Sequence, residues 1–439
     1  MSADANASSP ESPAAPSAGP PLTPAPRRAA LLFIFITVAL DILALGLIIP
    51  ILPKLILEFS GQDSARAATL YGLFAVAFAG MQFLASPVLG ALSDRFGRRP
   101  VILLSNLGLG LDYVLMALAP SLWWLLVGRL FAGITAASIT TANAYIADVT
   151  PPEKRAAGFG ILGAAFGLGF VIGPALGGVL GSIDLRLPFW VAAGLSLANF
   201  AYGWLILPES LPREKRVPFA WRGANPLGSL RFLRAHRGLP VLAGGLFLSQ
   251  LAHMALPAAF VLYADYRYGW DTHEVGLALA LVGVCSAVVQ AGLVRKVIPR
   301  IGERRGLLFG LSMGAVGFAI YGLAPTGWGL LLGIPVMALW GFAMPSAQGL
   351  MTRTVEPEAQ GRLQGALTSL TGMAGIIGPL MFSQILAAAI GPMKSLGVPG
   401  APFLLAALLL AGAALLVRAR TPAGDSDPGV GSGDSKPAA

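Results

Sequence analysis

Long apolar runs alternate with short polar ones along almost the whole chain. Twelve runs are long enough to cross a bilayer at ~20 residues per span. They cover residues 30–52, 69–92, 101–119, 122–147, 157–181, 188–207, 239–263, 274–298, 306–324, 328–351, 362–390 and 399–417. Each is predicted to be an α-helix, because lipid offers the backbone no hydrogen-bond partner. Residues 1–29, rich in Pro, Ala and Ser, and the polar residues 419–439 are expected to be disordered tails. The first tail lacks the apolar core of a signal peptide.

The short polar runs are not equivalent. Those after spans two, four, six, eight and ten read DRFGRRP, PPEKR, the linker 208–238, RKVIPRIGERR and VEPEAQGR. The linker carries Arg213, Lys215, Arg216, Arg222, Arg231, Arg234 and Arg237 against Glu209 and Glu214. Basic residues gathered on one side are expected to place these loops and both termini in the cytoplasm. The formal net charge of +9 therefore reflects membrane topology and gives no reason to expect a nucleic-acid partner.

The linker divides the spans into an N-terminal half, 30–207, and a C-terminal half, 239–418, of six spans each. The halves repeat one another. VTPPEKRAAGFG and the run from Gly160 to Pro174 match VEPEAQGRLQG and the run from Gly365 to Pro379, with Ala374 standing where Gly169 does. The expected fold is an all-α membrane protein of two pseudo-symmetric six-helix halves. Parallel repeats about an axis normal to the membrane are a transporter architecture, with the substrate site near the midplane between halves.

Composition agrees. Only 12% of the 439 residues are charged, against about 25% in soluble domains. The 55 glycines suit helix packing in lipid. One cysteine, Cys285, excludes an internal disulfide framework. No Gly-x4-Gly-Lys-Ser/Thr loop is present, so direct ATP drive is not expected. His236, His253 and His273 lack metal-ligand spacing, and no nucleophile–base arrangement is visible. The reading is therefore not an enzyme, with no cofactor or metal and with a proton gradient as the energy source. GFGILG at 158–163 matches the dinucleotide pattern Gly-x-Gly-x-x-Gly, but no strand precedes it and the match is discarded.

Three groups of residues could carry a mechanism. Asp41 is the twelfth residue of its span, roughly 17 Å deep at 1.5 Å per residue. A carboxylate there costs several kcal/mol unless protonated, paired or wetted. Asp112 and Arg129 lie at comparable depth on spans three and four and could neutralise one another, which would leave Asp41 the freer titrating group. If Arg129 instead faces Asp41, the assignment reverses.

The loop Gly90-Ala-Leu-Ser-Asp94-Arg95-Phe-Gly97-Arg98-Arg99 anchors topology. Asp94 ends a helix, where its charge opposes the dipole, so it calls for a basic partner or another helix's N-terminus. The repeat suggests the start of span eleven, near Arg362. Such a latch would hold the halves closed on the cytoplasmic side. Spans seven to twelve contain no mid-span acid; the polar residues that could face a cavity are Gln250, His253, Gln290, Ser346, Gln348, Gln364 and Ser369. Of these, Gln250, Gln290 and Gln348 are the better substrate contacts, since amides orient polar ligands in apolar sites.

Residues 160–178 read GILGAAFGLGFVIGPALGG. Gly160, Gly163 and Gly167 form one stripe, and Gly169, Gly173 and Gly177 another on roughly the opposite face. A helix smooth on two faces can be clasped by two neighbours and rock against them. Ordinary tight packing would use the same residues. Pro174 deletes the hydrogen bond to the Phe170 carbonyl and is expected to kink the helix.

The full spacing, Gly160-x8-Gly169-x3-Gly173-Pro174-x2-Gly177-Gly178, resembles the fifth-span motif of antiporters in the major facilitator superfamily. GALSDRFGRRPVILLSNLGLGLDYVLMALAP, with LDILALGLIIPILP, GRLFAGI, AYIADVT, LPES and the run MPSAQGLMTRTVEPEAQGRLQGALTSLTGMAGIIGP, is similar to the tetracycline efflux proteins, which are proton-coupled drug antiporters. The resemblance covers about residues 30 to 418. It implies proton and substrate handling by Asp41 and Asp112, gating by Asp94 and Arg98, the fourth-span arginine in Arg129 and the eighth-span glutamine in Gln290. Two positions depart from the family. Ser286 replaces a histidine four residues before Gln290, and Gly314 replaces a ninth-span aspartate. Both lost groups are titratable, which puts tetracycline in question as substrate.

These readings converge on a secondary transporter of the cell's inner membrane. It is expected to export a hydrophobic or amphipathic small molecule in exchange for protons, by alternating access and as a monomer. Its partners are then substrate, protons and lipid. Uptake of a metabolite on the same fold, and a sensor or scaffold that moves nothing, are the alternatives.

Overall fold

A computed structural model describes residues 24–136, 138–150, 155–217, 233, 238–356 and 360–420. Among these, ten helices are long and apolar enough to cross a membrane, and two shorter apolar helices complete a set of twelve spans. Seven spans are continuous: two (Ser64–Phe96), three (Arg98–Leu118), five (Arg155–Ile183), six (Leu187–Ile206), nine (Glu303–Leu323), eleven (Gln360–Ile390) and twelve (Ala401–Arg420). Span five remains one helix through Pro174. The first span starts at Pro24 rather than residue 30, proline being well suited to a helix's first turn.

The other five spans are interrupted. Span one breaks between Pro24–Ile48 and Leu52–Phe59, and span four between Leu122–Thr135 and Ser138–Val149. Span seven breaks between Leu239–His253 and Ala255–Tyr268. Span ten passes from Gly327–Ala338 through a 3₁₀ turn, Leu339–Phe342, into Ala343–Arg353. The leading helix of every three-span unit is thus broken, which exposes a repeat nested inside each half. Span eight is interrupted differently, by a π-helical turn at Val288–Val294 between Thr272–Ala287 and Arg295–Ile301. Prolines account for part of this. Pro50, Pro257 and Pro345 carry no N–H, so the carbonyls of Gly46, His253 and Gly341 lose their helical donors.

Two helix pairs make most of the contact between the halves. Span five packs on span eight, and span eleven on span two. In both seams a glycine meets its partner helix at or just after that helix's internal proline. A Cβ on Gly276 would lie 2.5 Å from the Pro174 carbonyl. The equivalent Cβ on Gly72 would lie 3.5 Å from the Pro379 carbonyl, and it would overlap Ser383.

Both seams close on the face away from the basic loops. There Thr272 donates to the Gly178 carbonyl (3.3 Å), Tyr71 to the Pro257 carbonyl (2.9 Å) and Gln384 to the Thr69 carbonyl (3.4 Å). Contact persists to mid-span, where Gly283 meets Val171 and Gly372 meets Phe83. One turn nearer the basic loops, Gly167 meets nothing within 4 Å, and two turns nearer neither does Gly90. Gly365 and Thr368, facing that way on span eleven, are exposed. The halves therefore splay toward the basic-loop face.

Candidate functional site

Asp41 lies on span one, 8% exposed. Nδ2 of Asn199, on span six, donates both to its Oδ1 (3.1 Å) and to the Thr37 carbonyl (3.1 Å). The amide is fully buried, so it holds the carboxylate in one orientation. Asn199 is a polar residue in the middle of an apolar run. That signal was available in the sequence, but its partner could be known only from the fold.

Asp112 and Arg129 meet, as one of the two sequence alternatives required, with Oδ2 3.7 Å from Nη2. This is an ion pair and not a hydrogen bond, which would need about 2.7–2.9 Å. Neither Asp112 oxygen nor Arg129 Nε has a hydrogen-bond partner among the described residues. Gly128 makes the approach feasible, since a Cβ there would sit 2.9 Å from Asp112 Oδ1. Arg129 also lies over the Phe78 ring, 5.7 Å from its centre. Asp41 thus accepts from a buried amide, and Asp112 is paired with a buried cation.

The loop after span two is built around Arg98. Its guanidinium pairs with Asp94 (2.5 Å) and with Asp148 of span four (3.1 Å), and donates to Ser93 Oγ (2.6 Å). Glu209, from LPES after span six, accepts from the Arg98 and Arg99 amides (2.8 and 3.3 Å). Gly97 has φ +107°, and a Cβ there would lie 2.7 Å from the Glu209 carboxyl carbon. Gly90 stands open, and Arg95 is exposed over the Phe96 ring.

Asp94 has the basic partner that its place at a helix end called for, in Arg98, while the reach across to the start of span eleven would belong to a state closed on this face. Asp94 pairs within its own half because the halves splay at this face and Arg98 sits one turn away. The Arg362 side chain lies outside the described residues. A second relationship escaped the sequence reading. Gly302 repeats the backbone of Gly97 (φ +81°), and the residue after it, Glu303, pairs with Arg353 of span ten at 3.0 Å. Arg98–Asp148 and Glu303–Arg353 occupy equivalent places in the two halves with their charges reversed.

Span five is clasped on two faces, as expected. Gly169, Gly173 and Gly177 all press on span one, where added Cβ atoms would meet Ile42, Gly46 and Leu47. The second neighbour, span eight, is met by Val171, Pro174 and Gly178, which continue the stripe of Gly160, Gly163 and Gly167 away from the basic loops. The side-chain surroundings of Gly160 and Gly163 lie outside the described residues.

In the second half, Gln250 donates to Thr371 Oγ1 of span eleven (3.2 Å). Gln290 is exposed on the π turn, while Gln348 and Ser286 are half-buried. Gly314 is packed shut: a Cβ would lie 2.8 Å from both Trp340 Cγ and Leu410 Cδ1. An aspartate has no room there, because the Trp340 indole fills the space. No cluster that could hold a metal ion exists among the described residues.

The sequence matches the model of the Major Facilitator Superfamily over residues 34–379 and 242–437. It is 41% identical over 362 residues to the class C tetracycline resistance protein of Escherichia coli, spanning 82% of this chain and 90% of that one. The class B protein of Escherichia coli is 36% identical over 346 residues, 79% of this chain and 86% of that one. Among solved structures, the human organic anion transporter MFSD10 (TETRAN) superposes with a TM-score of 0.66 at 26% identity, over 89% of this chain and 99% of that one. A bacterial homologue of the human lysosomal transporter Spinster, inward-facing and occupied, shares the fold at 19% identity and a TM-score of 0.68, over 90% and 96% of the two chains. The protein is a multi-pass membrane transporter and not an enzyme: the chain belongs to the major facilitator superfamily and, within it, to the family of the tetracycline resistance proteins.

Proposed function

We propose that this protein exports a hydrophobic or amphipathic drug-like molecule from the cell in exchange for protons, by alternating access. The observation that carries the reading is a pair of buried mid-span carboxylates, Asp41 and Asp112, in a fold whose halves meet on one face and splay on the other. A carboxylate can exist at that depth only with a partner or a proton. Asp41, held by a neutral amide, is the proton carrier. Asp112 and Arg129 tune it and couple it to substrate.

With the basic loops in the cytoplasm of the producing cell, the splayed face opens inward, ready to load substrate. The Arg98 cluster is the cytoplasmic gate, and the Gly169–Gly173–Gly177 stripe is the surface on which span five rocks. Gln250, Gln290, Gln348 and Ser286 line the substrate path. The transporter works as a monomer in the inner membrane, both termini cytoplasmic, driven by the proton gradient without a resident cofactor. The relatives' names make tetracycline the first substrate to try, and Ser286 and Gly314 make lipophilic cationic dyes the second.

The test is accumulation of tetracycline and such dyes in pump-deficient cells making the protein or its Asp41→Asn form, with and without the gradient. Accumulation lowered by the native protein, and restored by the substitution or by collapse of the gradient, is the expected result. No lowering of any compound, with the protein present in the membrane, overturns it.

A further inference from the structure

Three interrupted helices come together in the second half. Span seven breaks at His253, span ten at Trp340-Gly341, and span eight carries its π turn at Gln290. The His253 and Trp340 rings lie 5.3 Å apart at 51°. A Cβ on Gly341 would sit 3.3 Å from Gln290 Cγ, so that amide lies against the span-ten break. Trp340 is fixed by its indole N–H, which donates to Ser249 Oγ (3.0 Å), and by edge-on packing against Phe318. His253 and Gln290 are nonetheless exposed. The face they share points between helices and not at lipid, because Gln250, one turn before His253, is bonded to Thr371 of span eleven.

Hydrogen-bond acceptors gather at this point. Pro257 and Pro345 deprive the His253 and Gly341 carbonyls of their helical donors. The first segments of spans seven and ten both end here with partial negative charge, beside the N-termini of their second segments at Ala255 and Ala343, where Pro257 and Pro345 each remove one N–H donor. Trp340 adds the negative face of an indole. Spans seven to twelve hold no mid-span acid, and no Lys or Arg falls between Leu239 and Gln250 or between Leu330 and Thr352.

We propose that His253, Trp340 and Gln290 form a binding site for a planar aromatic cation. The cation stacks on Trp340 beside His253. The neutral imidazole, the Gln290 carbonyl and the two released backbone carbonyls accept its N–H donors. The site takes the place of the titratable pair that the second half lacks at Ser286 and Gly314. It deepens the export reading and rests on it.

The test uses the full-length protein in proteoliposomes under a pH gradient, with ethidium as the probe and tetracycline alongside. His253→Leu and Trp340→Leu are each expected to raise the KM for ethidium by about tenfold, with kcat within about twofold. Trp340→Phe and His253→Gln, which keep the ring and the acceptor, are expected to stay within about threefold of the native KM. An unchanged KM in both leucine variants overturns the site while leaving export standing. Native protein that carries tetracycline but not ethidium overturns the cation assignment alone. Native protein that carries neither overturns export and this site with it.

Discussion

Lys54, at the far end of span one, is ion-paired with Asp265 of span seven, and its ammonium also donates to the Trp270 carbonyl (2.6 Å). The two residues belong to different halves and lie 211 positions apart. Both side chains are mostly shielded, at 11% and 25% exposure. The pair locks the face opposite the basic loops, so it must open for substrate to leave by that side. Lys54→Gln is expected to shift the equilibrium toward the other state by about tenfold, or ~1.4 kcal/mol. A cysteine introduced at Gln384, in a Cys285→Ser background, reports this as faster labelling by an impermeant maleimide from outside the cell. The exchange Lys54→Asp with Asp265→Lys is expected to return the rate toward native.

Asn199 orients Asp41, and its loss can be separated from loss of the fold. Asn199→Leu removes a hydrogen bond to a charged group, worth about 1.5–3 kcal/mol. Proton-coupled export is expected to fall by at least about tenfold. Substrate binding without a gradient should stay near native, measured by equilibrium binding to purified protein.

The Asp112–Arg129 pair makes an asymmetric prediction. Arg129→Gln strands a buried carboxylate, at a cost of about 3–5 kcal/mol. The double variant Asp112→Asn with Arg129→Gln removes both charges and is expected to recover most of the thermal stability without recovering transport. Melting of the detergent-solubilised proteins, beside a transport assay, checks both halves of the statement.

Gly173 and Gly167 differ by environment. A Cβ at Gly173 would lie 2.6 Å from the Gly46 Cα, with backbone on both sides and nothing flexible to yield. Gly173→Ala is therefore expected to cost about 1–3 kcal/mol. At Gly167 there is room in this state. Gly167→Leu should leave melting unchanged yet block transport, because closure of the basic-loop face must bring span eight against it. Normal export by the leucine variant would argue against closure along this seam.

Glu209 braces the proposed gate. It accepts from the Arg98 and Arg99 amides and from Leu211 N (3.0 Å). Glu209→Ala is expected to loosen the Gly97 turn and speed trypsin cleavage in the linker several-fold. Glu209→Gln keeps an acceptor and should fall between the two.

Much of the fold was legible before any coordinates. Twelve apolar runs, the side of their basic loops and the duplicated Gly-to-Pro run state a two-half bundle. Lipid permits little but helices, and hydrophobic length sets their number. The buried acids were legible for the same reason: Asp41 and Asp112 are conspicuous because charge is costly there. Asp94 called for a basic partner, but sequence symmetry does not say which face is closed, and so not whether Arg98 or the start of span eleven supplies it. Glu209, Asp148 and Asn199 were passed over. Each is an ordinary polar residue until the loop or span it meets is known.

The sequence by itself determined the helices, the duplicated halves and the depth of each charge, because these depend on local hydrophobicity and spacing. Tertiary structure alone decided that Arg129 pairs with Asp112. It also decided that Lys54 reaches Asp265, that Glu303–Arg353 mirrors Arg98–Asp148, and that three helix breaks converge on Trp340. Those relationships join residues tens to hundreds of positions apart. They depend on how rigid helices rotate and cross, which no local pattern encodes.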